Sequence, residues 1–275
     1  MSTQATGEAL EWLRSHNPFS EAELWQQAHG ARMYALSLGD RWLKPDKRFM
    51  IVTTGRTGSE LLVDLLNSQP GIFCDGEILN DRRLSAQRFV AGRGAKAAMG
   101  GAEAYGCKLV QRHFGFQPTF ERDDFLSRMH DQGYELIYLR RENTLAQALS
   151  AAIGRHGRWH WHQGEKASFT PATIDPVELL GLAFLFDECD QYLQFLLEPL
   201  THLCITYEDD LVGQAAQQAT IDRICARLKM ASVAGSTKFV RLSPRLLEDR
   251  LVNYDEVAAV VRASRFAKYL SDVSA

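Results

Sequence analysis

The sequence predicts an α/β protein: a central, mostly parallel sheet covered by helices on both faces. Three observations predict it. Short apolar runs bounded by turn residues recur at 49–52, 72–74, 104–110, 134–139 and 201–206, too short for helices and apolar on both alternations. Longer stretches with helical spacing of apolar residues lie between them, so successive strands need crossovers, which are right-handed and place helices on the sheet faces. Residues 49–69 join both patterns in one unit, an apolar run from Phe49 to Val52, a glycine loop, and then Leu61, Leu62, Leu65 and Leu66 at helical spacing.

Taken in order, 7–16 and 20–38 read as amphipathic helices, the second opened by Ser20 with Glu23 three residues on, a capping-box pattern. A basic linker, 41–48, leads into the first strand. Pro70-Gly71 precedes the strand Ile72–Cys74, which runs into Asp75-Gly76-Glu77-Ile78. The glycine- and alanine-rich stretches 82–92 and 94–103 read as helical or irregular, and 121–132 as a helix begun by acidic residues. The strand 134–139 delivers Arg140-Arg141 to a helix over 143–153. A polar loop, 154–175, precedes a long apolar helix over 176–198, and Glu208-Asp209-Asp210 after the strand 201–206 reads as a helix opening, with a helix over 215–229. The tail suggests a strand at 237–242 and helices near 246–262 and 264–271. One domain spanning 1–275 is expected, with 1–48 a helical extension and 49–270 the core.

Composition narrows the function. With 31 basic and 34 acidic residues the formal charge is −3, which argues against general nucleic-acid or membrane-surface binding. No apolar stretch approaches membrane-spanning length and the first residues are polar, so a cytoplasmic protein without stable membrane insertion is expected. The five cysteines have no CxxC spacing, and Cys74, Cys107 and Cys204 fall inside predicted strands, where thiols behave as small apolar groups.

The glycine loop carries the first chemistry. Thr53-Thr54-Gly55-Arg56-Thr57-Gly58-Ser59 lies between strand and helix, where backbone N–H groups and the helix dipole favour an anion. Arg56 adds a fork of donors suited to phosphate or sulfonate oxygens. The nucleoside-triphosphate loop needs four residues between its glycines and then Lys-Ser/Thr. Here only Arg56 and Thr57 separate the glycines, and Glu60 stands where a metal-binding hydroxyl is wanted. The loop suits a nucleotide used without obligatory metal; an ordinary βα turn whose glycines only permit tight packing is the lesser alternative. A second strand ends on Arg140 and Arg141, with Ser150 about two helical turns onward. Ligands in such sheets bind at the carboxyl ends of strands, and two anion sites there would grip a nucleotide with phosphates at two places. Pairing of the two arginines with surface carboxylates is the plainer alternative.

These residues resemble sulfotransferases. Gly55-Arg56-Thr57-Gly58-Ser59 with Leu61-Leu62 looks like their 5′-phosphosulfate loop, and the strand-Arg141-helix-Ser150 arrangement like their 3′-phosphate site. Phe73-Cys74-Asp75-Gly76-Glu77-Ile78-Leu79, Gly106-Cys107-Lys108-Leu109, Tyr207-Glu208-Asp209 with Leu211, and Asn253-Tyr254-Asp255-Glu256-Val257 are similar to the bacterial carbohydrate enzymes of trehalose and Nod-factor type. The resemblance covers roughly 49–270 and implies a P-loop-like three-layer fold, 3′-phosphoadenylyl sulfate (PAPS) as sulfuryl donor, and no metal. It implies donor contacts at Gly55, Arg56, Thr57, Gly58, Ser59 and Glu60, and a 3′-phosphate held by Ser150 with Arg140 or Arg141. Glu60 departs from the Ser or Thr of many relatives, and the nine-residue step from Arg141 to Ser150 is one longer than the common spacing, so the two arginines stay unresolved.

The implied reaction needs a cation on the leaving group and a base on the acceptor hydroxyl. Arg56 fits the first role. Glu77, in a Gly-Glu turn after a strand, is the candidate base, with a capping or solvated carboxylate as the alternative and His113 and His156 as the next candidates. Lys108 is read as a second site cation or a surface lysine. Arg158 and Trp159, in a loop that also carries His156, His160 and His162, suit a saccharide acceptor, with a plain surface loop as the equal alternative; the histidines alone do not complete a metal site. A small-molecule or saccharide acceptor is expected, and a homodimer is left open. An ATP- and magnesium-dependent kinase and a non-catalytic nucleotide-binding protein are the rival readings.

Overall fold

In a computed structural model of the chain, the described residues are 21–38, 43–117, 124–155, 169–239 and 246–270. The elements are α1 (Glu21–Leu38), β1 (Lys47–Thr53), α2 (Ser59–Asn67), β2 (Ile72–Asp75), α3 (Ala86–Met99), β3 (Ala104–Val110), the short α4 (His113–Phe116), α5 (Phe125–Asp131), β4 (Tyr134–Arg140), α6 (Thr144–Arg155), α7 (Pro176–Leu197), β5 (His202–Thr206), a π turn (Tyr207–Leu211), α8 (Gln214–Arg227), α9 (Tyr254–Arg262) and a closing 3₁₀ turn (Ala267–Leu270). The five strands form one sheet in the order β2-β3-β1-β4-β5, every neighbouring pair parallel. This is the expected α/β architecture of P-loop-like type.

The strand alternation builds the three layers. Met50, Val52, Cys107, Leu109, Leu136 and Tyr138 point to one face and pack with Phe89 and Val90 of α3 and Leu193 and Leu197 of α7. Phe49, Ile51, Ile137, Leu139 and Ile205 point to the other and meet Leu62, Leu65 and Leu66 of α2 and Ile221 and Ile224 of α8. Both faces of β1 are therefore buried, which is why its sequence is apolar at every position from Phe49 to Val52. A further cluster, including Leu145, Leu149, Leu179, Val257 and Val261, fastens α6, α7 and α9 together.

Two sequence expectations are corrected and one is sharpened. Of the stretches 82–92 and 94–103, read as helical or irregular, residues 86–99 form one helix, α3, and its glycines serve close packing: a Cβ on Gly92 would stand 1.9 Å from the Met33 carbonyl oxygen of α1. No strand forms over 237–239, while 240–242 lie outside the described residues; Thr237 Oγ1 and the Lys238 N–H instead donate to Asp64 at 2.8 and 2.9 Å. The helix expected from 246 begins at Tyr254, because 250–252 run extended enough for an isolated bridge between Leu251 and Ala172. Cys74 and Cys107 are buried as expected, whereas Cys204 is exposed on the edge strand β5. None of the described helices is long and apolar enough to cross a membrane.

Strand order fixes where a site can form. From β1 the chain crosses to β2 on one side, and from β4 it continues to β5 on the other. The loops leaving β1 and β4 thus diverge from adjacent strands, opening a crevice at their carboxyl ends, the usual ligand position in such sheets.

Candidate functional site: two cationic loops and a buried lysine

The loop after β1 is a tight turn in the left-handed region. Gly55, Arg56 and Gly58 all have positive φ, at 87°, 59° and 80°. For arginine this is an uncommon conformation, sustained only where surrounding contacts impose it. Gln147 of α6 donates to Thr54 Oγ1 at 2.7 Å and to the Gly55 carbonyl at 2.6 Å, and the Thr53 and Thr57 hydroxyls pair at 2.6 Å. Gly58 is required by packing as well: a Cβ there would lie 2.7 Å from Tyr207 Cδ2. Gly58 is also the residue before α2, whose start carries no side-chain cap.

Arg56 reaches away from its own loop to α6, donating to Ser150 Oγ at 2.8 Å and to the Ser150 carbonyl at 3.2 Å. Arg141, the first residue past β4, donates to the Arg56 carbonyl at 3.4 Å, stacks on the Tyr207 ring at 4.5 Å and lies 3.6 Å from Glu208. Burial and then the nearby Arg141 charge pull the Arg56 guanidinium down to about 10, with Glu60 and Glu77 acting in the opposite sense. Arg56 remains cationic at neutral pH, and its half-buried charge beside the buried Arg141 favours an anion close by.

Arg140 takes no part in this pair. Its side chain runs to α7, 3.3 Å from Asp190, whose carboxylate also receives Tyr138 and Gln194. Successive residues leave a strand on opposite faces, so only one of the two arginines can meet the loop. Glu208 lies in the first turn of a short π helix, in keeping with the helix opening that the sequence suggested. It sits in the π turn and accepts the N–H groups of Glu142 and Asn143 at 3.0 and 3.1 Å, capping α6 across the site together with Asn143, which accepts the Ala146 N–H at 2.8 Å.

Glu77 stands in the turn after β2, beside the crevice. Below it, Asp75 is held by Arg93 and by the Tyr105 hydroxyl at 2.9 Å, and the Gly76 carbonyl receives the Lys108 N–H at 3.3 Å. The Glu77 carboxylate meets Lys108 Nζ at 3.0 Å, pairs with Arg112, and lies 3.8 Å from His113 Nε2. His113 Nδ1 accepts the Val110 N–H at 3.2 Å, so the proton of the neutral ring is on Nε2, which donates to Asn80 at 2.8 Å. Burial pushes the Glu77 carboxyl up, but the His113 and Lys108 contacts and the Lys108 and Arg112 charges outweigh it and hold Glu77 well below the usual carboxylate range.

Lys108 is no surface residue. Its side chain is 1% exposed and its ammonium is shared by Glu77 and Glu60, the latter on the first turn of α2. The site thus gathers Gly55, Arg56, Thr57, Gly58, Ser59, Glu60, Glu77, Lys108, Arg141 and Ser150 toward the carboxyl ends of the strands and leaves Arg140 apart. Arg158, Trp159, His156, His160 and His162 lie outside the described residues, and among the described residues no group of His, Cys, Asp and Glu has a metal-holding arrangement. Sequence reasoning missed Arg112, Gln147 and Arg93. Arg112 was within reach of the strand-end rule, being two residues past β3, and Gln147 lies three residues before Ser150 on the same helix face. The Arg93–Asp75 pair leaves no local signal.

No family model matches the chain. Over 199 residues it is 28% identical to nodulation protein H of Rhizobium tropici, covering 63% of this chain and 73% of that protein. A solved structure described as a sulfotransferase from Alicyclobacillus acidocaldarius aligns with a TM-score of 0.44 at 13% identity, over 80% of this chain and 95% of that one.

Proposed function

We infer that this chain is a sulfotransferase, moving a sulfuryl group from 3′-phosphoadenylyl sulfate to a hydroxyl of a carbohydrate or glycolipid. The observation that carries the reading is the joining of two cationic strand ends, Arg56 on the β1 loop and Arg141 after β4, through the Arg56–Ser150 and Arg141–Arg56 contacts. A donor with phosphate at both 5′ and 3′ positions needs two anion sites one nucleoside apart. The similarity to nodulation protein H supports the Nod-factor-type resemblance of the motifs. The kinase alternative is not favoured: Ser59-Glu60 stands where Lys-Ser/Thr would serve phosphate and magnesium.

In this reading the N–H groups at Gly55 to Ser59 and the Arg56 guanidinium hold the 5′-phosphosulfate, and Arg141 with Ser150 holds the 3′-phosphate. The acceptor oxygen attacks sulfur, the bond from sulfur to the 5′-phosphate oxygen breaks, and its electron pair stays on the phosphate beside Arg56. Charge develops on the leaving phosphate in this loose, in-line transfer, so a fixed cation there is worth most in the transition state. Glu77 takes the acceptor proton. As Lys108 and Arg112 turn part of their charge to the donor, the Glu77 carboxylate becomes a better base. Arg158 and Trp159 belong to the acceptor side.

The test is transfer of label from ³⁵S-PAPS to a panel of oligosaccharides and glycolipids. Wild-type protein should label an acceptor and Arg56→Ala should not. Label transfer undiminished in Arg56→Ala would overturn the assignment of the loop.

A further inference from the structure

Glu60 stands out because it places a carboxylate where an anion is to bind. It occupies the first turn of α2, directly after the loop, where helix N–H groups attract negative charge and no side-chain cap competes. Its partner is Lys108, 1% exposed, whereas Glu60 itself is 57% exposed. The asymmetry decides which group can move. The lysine is fixed by its burial, and leaving it without a counter-charge is costly. The glutamate can swing into water on its flexible stem at little cost.

We propose that Glu60 is an affinity-setting gate on Lys108: its carboxylate occupies the ammonium until a phosphate- or sulfate-bearing ligand enters the β1 loop and takes the ammonium over. Glu77 keeps its place on Lys108 throughout, because its main chain is fixed by the Gly76 carbonyl to Lys108 N–H bond and its carboxylate is also paired with Arg112. The gate makes the site selective. A neutral ligand gains nothing by displacing Glu60, and a weakly anionic one must compete with a carboxylate already in contact. The cost is affinity for the proper ligand. The proposal rests on the anion-site reading of the loop and on no particular acceptor.

The experiment is calorimetric titration of wild type, Glu60→Gln and Glu60→Asp with 3′,5′-ADP and separately with inorganic pyrophosphate. Glu60→Gln removes the competing charge and should tighten both by about tenfold or more, as expected for losing one like charge a few ångströms from an anion. Glu60→Asp keeps the charge and should bind no tighter than wild type. Equal or weaker binding of both ligands by Glu60→Gln, in protein of unchanged melting temperature, would overturn the gate. Tightening toward pyrophosphate with no binding of 3′,5′-ADP to any of the three proteins would support the gate and overturn the donor reading.

Discussion

The Arg56 guanidinium donates to the Ser150 hydroxyl at 2.8 Å, joining the β1 loop to a helix 94 residues away in sequence. In the two-site reading this bond opens when a nucleotide binds, the 5′-phosphosulfate taking over Arg56 and the 3′-phosphate taking over Ser150. Replacing Arg56 with Ala should reduce single-turnover sulfuryl transfer by about a hundredfold or more, as for other charge partners of a transition state. Arg56→Lys should recover only part, because an ammonium is a point charge and lacks the planar fork of donors that suits phosphate oxygens. A near-wild-type rate in Arg56→Ala, with melting unchanged, would show that the leaving group lies elsewhere.

Arg140 and Arg141 should separate cleanly by what they lose. Arg141→Ala should weaken 3′,5′-ADP binding by tenfold or more while changing AMP binding little, since one charged contact is worth about 1.5–3 kcal/mol. Arg140→Ala should leave the affinity ratio intact and instead cost stability, because Asp190, with a side chain 9% exposed, loses its cation. The check is one titration series with both nucleotides plus thermal melts; a reversed pattern would exchange the two roles.

Glu77 titrates far from neutrality, and this gives a pH prediction with a definite sign. Its folded-state pKa lies below that of the unfolded chain, near 4.3 for glutamate. The stability it contributes is therefore fully present above that value and lost as pH falls toward the folded pKa. The melting-temperature gap between wild type and Glu77→Gln should be constant from pH 7 to about 5 and shrink below about 4. A gap that closes between pH 7 and 5 would contradict the ion-paired description. The same variant tests chemistry: single-turnover rate should fall by about a hundred- to ten-thousandfold with nucleotide affinity retained.

Gly58→Ala should damage fold and site together. The added methyl meets the Tyr207 ring at 2.7 Å and the residue needs φ of 80°, so both strain and displacement of the Arg141–Tyr207 stack follow. A loss of roughly 1–3 kcal/mol is expected, read by denaturant unfolding, with weaker 3′,5′-ADP binding by titration. Unchanged unfolding and binding would mean the loop relaxes freely.

Much of the fold was legible because the strands are buried on both faces and their apolar runs admit no other reading; β3 matches its expected bounds, 104–110, residue for residue. The Arg56 loop was legible for the same local reason, a glycine turn between strand and helix. What the sequence hid is long-range. Nothing near Arg140 and Arg141 says that Asp190, on a helix some fifty residues on, claims the first. Lys108 could be read as exposed because a lysine in an apolar strand gives no hint of the two carboxylates, from α2 and from the β2 turn, that make its burial tolerable. Helix α3 could be read as helical or irregular because its glycines lower helix propensity, and the reason for one of them, Gly92, lies on α1.

The central claim is most directly tested by calorimetric titration of the wild-type protein with 3′,5′-ADP, AMP and ATP, each with and without magnesium. The two-site account predicts that 3′,5′-ADP binds at least tenfold tighter than AMP and that magnesium leaves its affinity unchanged. Equal affinity for 3′,5′-ADP and AMP, or a preference for ATP that appears only with magnesium, would contradict it.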